Sequence, residues 1–234
     1  MTELLAAVAA FLLAALTGGR LAGWLQKKGL GRSLMVKKGE SVTPGQEDAP
    51  EFGALPLLIG LVPASLLALL ILLISGGSLS PGIEAGKVLA VLFSAALYAA
   101  VGLTDDWRRG NRMPEMPLFF RIALILGVSV AFLLALRFLG EQSNIVLIPF
   151  IGTQVNFGAV WMAAMVLLLL GACCGGDACG AVSGQCASAS LPLAFASAGV
   201  SAVFGMRGMA SVSFGMAGAA LGLLLFAFPP EKMR

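Results

Sequence analysis

Seven apolar stretches separated by short polar or turn-rich segments dominate the pattern along the chain. Most of them approach the roughly 20 residues that an α-helix needs to cross the hydrocarbon core of a bilayer. The pattern therefore predicts an all-α polytopic membrane protein with about seven transmembrane helices in one integral membrane domain, 1–234. The predicted spans are 4–25, 55–75, 88–103, 117–139, 159–172, 186–204 and 209–228.

Two segments between the apolar stretches differ from them in amino-acid composition. From Ile145 to Phe157, β-branched residues flank a turn that contains Gly152, which predicts a small β-hairpin. From Cys173 to Gly180, glycines surround the lone carboxylate of Asp177, which predicts a break after the fifth span.

Composition supports the membrane class and limits the chemistry. Hydrophobic residues make up 59% of the chain and charged residues 12%, against about 25% charged in soluble domains. The chain has no histidine, which excludes imidazole chemistry. Four cysteines cluster late in the chain, where small apolar filler is the first interpretation and a zinc site the second. They are Cys173, Cys174, Cys179 and Cys186.

The distribution of basic residues predicts the orientation. With seven alternating spans, every lysine and arginine except Lys87, Arg137 and Arg207 falls on one side of the membrane. Because basic residues favour the cytoplasmic side, we expect the amino terminus outside and a multi-pass protein of the cell inner (plasma) membrane. The acids at 105, 106 and 177 then share the cytoplasmic face, and the β-hairpin is extracytoplasmic.

The segment Gly102-Leu103-Thr104-Asp105-Asp106-Trp107-Arg108-Arg109 closes the third apolar stretch. Charges are costly deep in hydrocarbon, about 2.5–3.5 kcal/mol by insertion scales, so this segment should lie at a membrane face. Adjacent carboxylates there are suited to hold a divalent cation or a metal–phosphate complex. The alternative is a helix-end charge cluster that only stops transfer across the bilayer.

The order of these features resembles the phospho-N-acetylmuramoyl-pentapeptide transferases, in the polyprenyl-phosphate N-acetylhexosamine-1-phosphate transferase family. Gly102 to Trp107 is similar to the family's Gly-Phe-Ile-Asp-Asp-Tyr, and Ala49 to Leu55 stands at its Thr-Pro-Thr-Met-Gly-Gly loop. Arg121 stands at a lysine early in span four, and Gly176-Asp177-Ala178 at the Asn-Leu-Thr-Asp-Gly-Leu-Asp-Gly loop. The ending, 228–232, resembles the Tyr-Pro-Ala-Lys that precedes a Met-Gly-Asp-Thr-Gly motif.

The resemblance implies transfer of phospho-MurNAc-pentapeptide from UDP to undecaprenyl phosphate, which gives lipid I for peptidoglycan synthesis. It implies Mg²⁺ as cofactor, both substrates and the bilayer as partners, no nucleic acid, and a homodimer. Catalytic candidates are Asp105, Asp106 and Asp177, and the first two are also the candidate metal ligands. Candidate substrate-binding residues are Arg121, Pro50 and Gly53.

The chain resembles the first two-thirds of a ten-span family member. It ends before the Met-Gly-Asp motif, lacks the triple-histidine motif, and keeps one aspartate of the two after span five. These departures predict a C-terminally truncated and divergent relative. The alternatives are a non-catalytic membrane relative, a related polyprenyl-phosphate sugar-1-phosphate transferase, and a small-solute carrier.

Overall fold

The computed structural model describes residues 2–27, 54–75, 81–111, 113–114, 116–140, 145–147, 154–179 and 185–227. Helices account for nearly all of this part of the chain. The helices are α1 (Thr2–Lys27), α2 (Ala54–Ile74), α3 (Pro81–Gly110), α4 (Leu118–Phe138), α5 (Gly158–Cys179), α6 (Gln185–Val203) and α7 (Arg207–Ala227). The helical membrane class expected from the sequence is therefore confirmed.

Five of these helices, α1, α2, α3, α4 and α7, are long and apolar enough to span a membrane. The apolar parts of α5 and α6, Val160–Gly176 and Ala187–Val203, are shorter. Five candidate spans are therefore established, and the full set of seven stays a prediction.

Two helices extend beyond the limits expected from the pattern. The third was expected to end near Leu103, but α3 continues through both acids to Gly110. The break expected at 173–180 is wrong up to Cys179, because α5 includes Gly175 and Gly176 and places Asp177 in its last turn. A helical glycine costs about 1 kcal/mol relative to alanine. A backbone group left without a hydrogen bond in hydrocarbon costs several kcal/mol.

Small residues form the centre of the bundle, where α1, α2 and α7 meet. Each of these helices has a buried small residue at every fourth position, which places it on one face. These residues include Ala6, Ala10 and Ala14 on α1, Gly60, Ala64 and Ala68 on α2, and Ser211, Gly215 and Ala219 on α7. Small side chains let helix backbones approach closely, which is how helices associate where water supplies no driving force.

The closest contacts in this core show the relative directions of the helices. A Cβ added at Gly218 would collide with the backbone of Ala7, and one at Gly222 would lie 2.9 Å from the carbonyl oxygen of Phe11. Both pairs advance in the same direction, so α1 and α7 run parallel. Conversely, Gly60 adjoins Ala219 whereas the later Ser65 adjoins Gly215, so α2 runs antiparallel to α7.

Helices α3 and α4 form an antiparallel pair beside this core. The start of α3 meets the end of α4 where Gly86 packs on Leu139. Two turns before the acidic pair, the hydroxyl oxygens of Tyr98 and Ser129 lie 2.7 Å apart. The Ser129 hydroxyl donates to the carbonyl oxygen of Ile125, so the Tyr98 hydroxyl donates to Ser129.

Two short strands lie between α4 and α5. Strand β1 (Ile145–Leu147) pairs antiparallel with β2 (Gln154–Asn156), and Val146 lies opposite Val155. The residues that connect them, 148–153, lie outside the described part of the chain.

Candidate functional site

The candidate site lies where α3 ends and α4 begins. Asp105 projects from α3 into the contact between the two helices, and its side chain is only 5% exposed. Arg121 is the fourth residue of α4, and its Nη1 lies 3.5 Å from the Oδ2 of Asp105. The structure therefore joins two residues, sixteen positions apart, that the resemblance singled out separately.

The second carboxylate oxygen of Asp105 also has a partner inside the protein. The backbone N–H of Met116 donates to Oδ1 at 3.1 Å. Through its two oxygens, Asp105 thus fastens the chain before α4, and α4 itself, to the end of α3. No sequence pattern predicts the Met116 contact, because a backbone donor has no residue signature.

The position of this ion pair along α3 is consistent with a membrane face. Glu84 and Asp105 are 21 positions apart, which corresponds to about 32 Å along a helix at 1.5 Å per residue. The hydrocarbon core of a bilayer is about 30 Å thick. The start of α3 adjoins the start of α7, where Gly208 packs on Val88, so Asp105 lies toward the opposite end of the bundle.

Asp106 does not share the position of its neighbour. Successive helical residues project about 100° apart, so side chains at i and i+1 do not face each other. Asp105 is buried between the helices, whereas Asp106 is half-buried. The two acids therefore differ in burial, and the Oδ2 of Asp105 lies 3.5 Å from the Nη1 of Arg121.

The other candidate residues lie partly or wholly outside the described part of the chain. Asp177 lies in the last turn of α5, and its side chain lies outside the described part of the structure. Helix α5 begins near the end of α4, where the Nη1 of Arg137 lies 3.8 Å from the sulfur of Met162. Pro50 and Gly53 lie outside the described residues.

The described side chains include no group of three acids or cysteines gathered as ligands for a metal ion. The side chain of Cys173 is half-buried and that of Cys174 is exposed. Within these limits, the zinc interpretation receives no support from the geometry.

The residues that the sequence analysis missed extend the site toward the membrane interior. Tyr98 precedes Asp105 by seven positions, and Ser129 follows Arg121 by eight. Both spacings are about two helical turns, so each residue lies on the same face as the charged one. This periodicity is the signal that would have linked the hydroxyl pair to the ion pair.

Comparison with known proteins adds no assignment, because no protein-family model and no curated protein matches this chain.

Proposed function

We propose that this chain acts at the cytoplasmic face of the plasma membrane as a polyprenyl-phosphate sugar-1-phosphate transferase. By its resemblance to that family, it transfers phospho-MurNAc-pentapeptide from UDP to undecaprenyl phosphate, with lipid I and UMP as products. The observation that carries the proposal is the Asp105–Arg121 ion pair. It joins two of the positions on which the resemblance rests, at one end of the bundle.

Phosphoryl transfer depends mainly on the neutralisation and positioning of charge, and both proposed substrates are polyanions. In this proposal Arg121 binds a substrate phosphate, and Asp105 is a positioning residue that orients the guanidinium. A guanidinium presents donors in a planar fork that matches two phosphate oxygens. The contact between Asp105 and the N–H of Met116 holds the start of α4 in place for this role.

The donor chemistry at Asp106 fits Mg²⁺, because this ion is usually held by one or two carboxylates together with substrate phosphates. Asp105 and Asp106 are the candidate metal-holding carboxylates in this proposal, and Asp177 is the candidate on the nucleotide side of the site. Bound there, Mg²⁺ would stabilise the negative charge on the leaving UMP.

The helix directions support a shared face for the acids. If α5 runs antiparallel to α4 from the Arg137–Met162 contact, Asp177 lies about 22 Å along α5 from Met162. Arg121 lies about 24 Å along α4 from Arg137, so Asp177 reaches the level of Arg121. In this proposal, the excess of basic residues on this side favours the cytoplasm for the acids and the outside for the paired strands. A homodimer belongs to the same family-based proposal.

A second candidate function is that of a non-catalytic membrane relative. One observation favours it: both carboxylate oxygens of Asp105 are satisfied within the protein, as in an ion pair that only fastens two helices.

A transfer assay decides between the two functions. With radiolabelled UDP-MurNAc-pentapeptide, undecaprenyl phosphate and Mg²⁺, we expect the purified chain to form a lipid-linked product. Asp106→Asn should lower the rate by about 100-fold, which is at the upper end for loss of a group that supports a metal. Glu84→Gln, at the other end of α3, is the matched control and should stay within about twofold, because the proposed chemistry does not use it.

An authentic family member run alongside shows that the substrates and the assay are sound. No product from this chain under conditions in which that enzyme works would contradict the transferase proposal and favour the non-catalytic relative.

A further inference from the structure

We infer that Tyr98 and Ser129 are positioning residues for Arg121. Their hydroxyl contact fixes how far α4 lies along α3, and therefore where the guanidinium meets Asp105. The inference does not depend on the proposed transferase activity, because it concerns the placement of a side chain and its tests use no substrate. It rests on the register of α3 against α4, on the burial of α4 and on the depth of the hydroxyl pair.

Three contacts between α3 and α4 lie at different levels and share one antiparallel register. From the first to the last, the position on α3 advances by nineteen residues and the position on α4 recedes by eighteen. This distance is about 28 Å along a helix. The contacts are Gly86–Leu139, Tyr98–Ser129 and Asp105–Arg121. A slide of α4 along α3 would therefore change all three contacts together.

Helix α4 has few buried side chains to hold it in this register. Within the described part of the chain, its buried residues are Ile125 and Ser129, and the second has no exposed surface. Large apolar side chains elsewhere on α4 are exposed, such as Phe119 and Phe138. Lipid tails solvate apolar side chains as well as a neighbouring helix does, so this surface gives little preference for one register. A directional contact is better suited to select it.

The hydroxyl pair supplies that directional contact at the middle of both spans. The Ser129 hydroxyl donates to the carbonyl oxygen of Ile125 at 2.8 Å and accepts from the Tyr98 hydroxyl at 2.7 Å. Tyr98 lies near the centre of the span Gly82–Arg108, where no water is present to replace a lost acceptor. Arg121 lies near the end of its own span, where a displaced guanidinium can extend to water. A slide of α4 is therefore opposed more strongly at the hydroxyl pair than at the ion pair.

Distances between spin labels test this inference directly. In the full chain with its four natural cysteines replaced by alanine, labels are attached at Trp107→Cys and Phe119→Cys. Both positions are exposed and lie at the charged ends of α3 and α4. Electron paramagnetic resonance in liposomes should give a narrow distance distribution for this parent. Tyr98→Phe should broaden or shift the distribution by several ångströms, up to the rise of one helical turn, about 5.4 Å.

Ser94→Ala is the matched control for Tyr98→Phe. The Ser94 hydroxyl is also buried, one turn from Tyr98 on the same helix, but it donates within α3 to the carbonyl oxygen of Val91. Its removal should leave the distance distribution unchanged. If Tyr98→Phe is not recovered as a folded protein, Ser129→Ala removes the same contact from the α4 side and is expected to have the same effect.

A double-mutant cycle of Asp105→Ala and Arg121→Ala separates positioning from plain stabilisation. Tyr98→Phe should raise the equilibrium constant of unfolding by about threefold, the usual effect of one hydrogen bond between membrane helices. Because Tyr98 positions Arg121, the same substitution should also weaken the coupling between Asp105 and Arg121 by about threefold. This change exceeds the roughly twofold error of such cycles.

Three results would overturn the inference. One is a distance distribution for Tyr98→Phe that matches the parent. Another is a coupling between Asp105 and Arg121 that Tyr98→Phe leaves unchanged, as expected of a hydroxyl contact that only joins the two helices. The third is an equal change in either readout for Ser94→Ala.

Discussion

Replacing Gly218 with alanine is expected to destabilise the fold by about 3 kcal/mol or more. A Cβ at this position would collide with the backbone of Ala7, which cannot move aside as a flexible side chain can. Overpacking a well-packed core commonly costs 1–3 kcal/mol, and a collision with backbone lies at the upper end. Because α1 and α7 share the tightest contact of the bundle core, the substitution should separate them.

The measurement is the free energy of unfolding in mixed micelles titrated with SDS, followed by far-ultraviolet circular dichroism. Gly199→Ala on α6 is the matched control, because a Cβ there meets no atom of the described residues within 4 Å. It should be neutral or stabilising by up to about 1 kcal/mol, since alanine favours a helix over glycine. A Gly218→Ala protein as stable as this control would show that α1 and α7 do not pack as described.

Replacing Asp105 with alanine is expected to cost about 3 kcal/mol of stability. The carboxylate is buried and binds both Arg121 and the N–H of Met116, and its loss removes the acid that lies against a partly buried guanidinium. Breaking a buried ion pair by removing one partner typically costs 3–5 kcal/mol, and the 22% exposure of Arg121 places this pair at the low end.

A double-mutant cycle isolates the ion pair. The Asp105→Ala/Arg121→Ala protein should be clearly more stable than the sum of the two single losses predicts, because both single substitutions remove the same ion pair. Asp106→Ala, one position along the helix, is the control and should cost less stability, since Asp106 is only half-buried. Additive losses in the cycle, within about 0.5 kcal/mol, would mean that Asp105 and Arg121 do not interact.

Sequence reasoning located the helices because the alternation of apolar and polar stretches is governed by the bilayer. It could not locate the core, because α1 and α7 are about 200 positions apart and nothing in either segment identifies its partner. The small residues that bring Ala7 against Gly218 are visible in the sequence. Which helix each small face meets is decided by packing alone.

The errors at the helix ends have one physical cause. The sequence pattern predicts a break at Gly175 and Gly176 and a helix end at the acids 105 and 106. A helical glycine costs only about 1 kcal/mol relative to alanine, and a continued helix keeps the backbone groups hydrogen-bonded, so α5 and α3 extend through these residues. The resemblance singled out Asp105 and Arg121 separately, and their contact depends on the antiparallel register of α3 and α4.

The most direct test of the account asks whether the two acidic regions face the same side of the membrane. The four natural cysteines are replaced with alanine, and single cysteines are introduced as Asp106→Cys and Asp177→Cys. Each variant is treated with a membrane-impermeant maleimide in intact cells and in inside-out vesicles. The account predicts that both cysteines are labelled only in inside-out vesicles. Labelling of the two from opposite sides, or of either from outside intact cells, would contradict it.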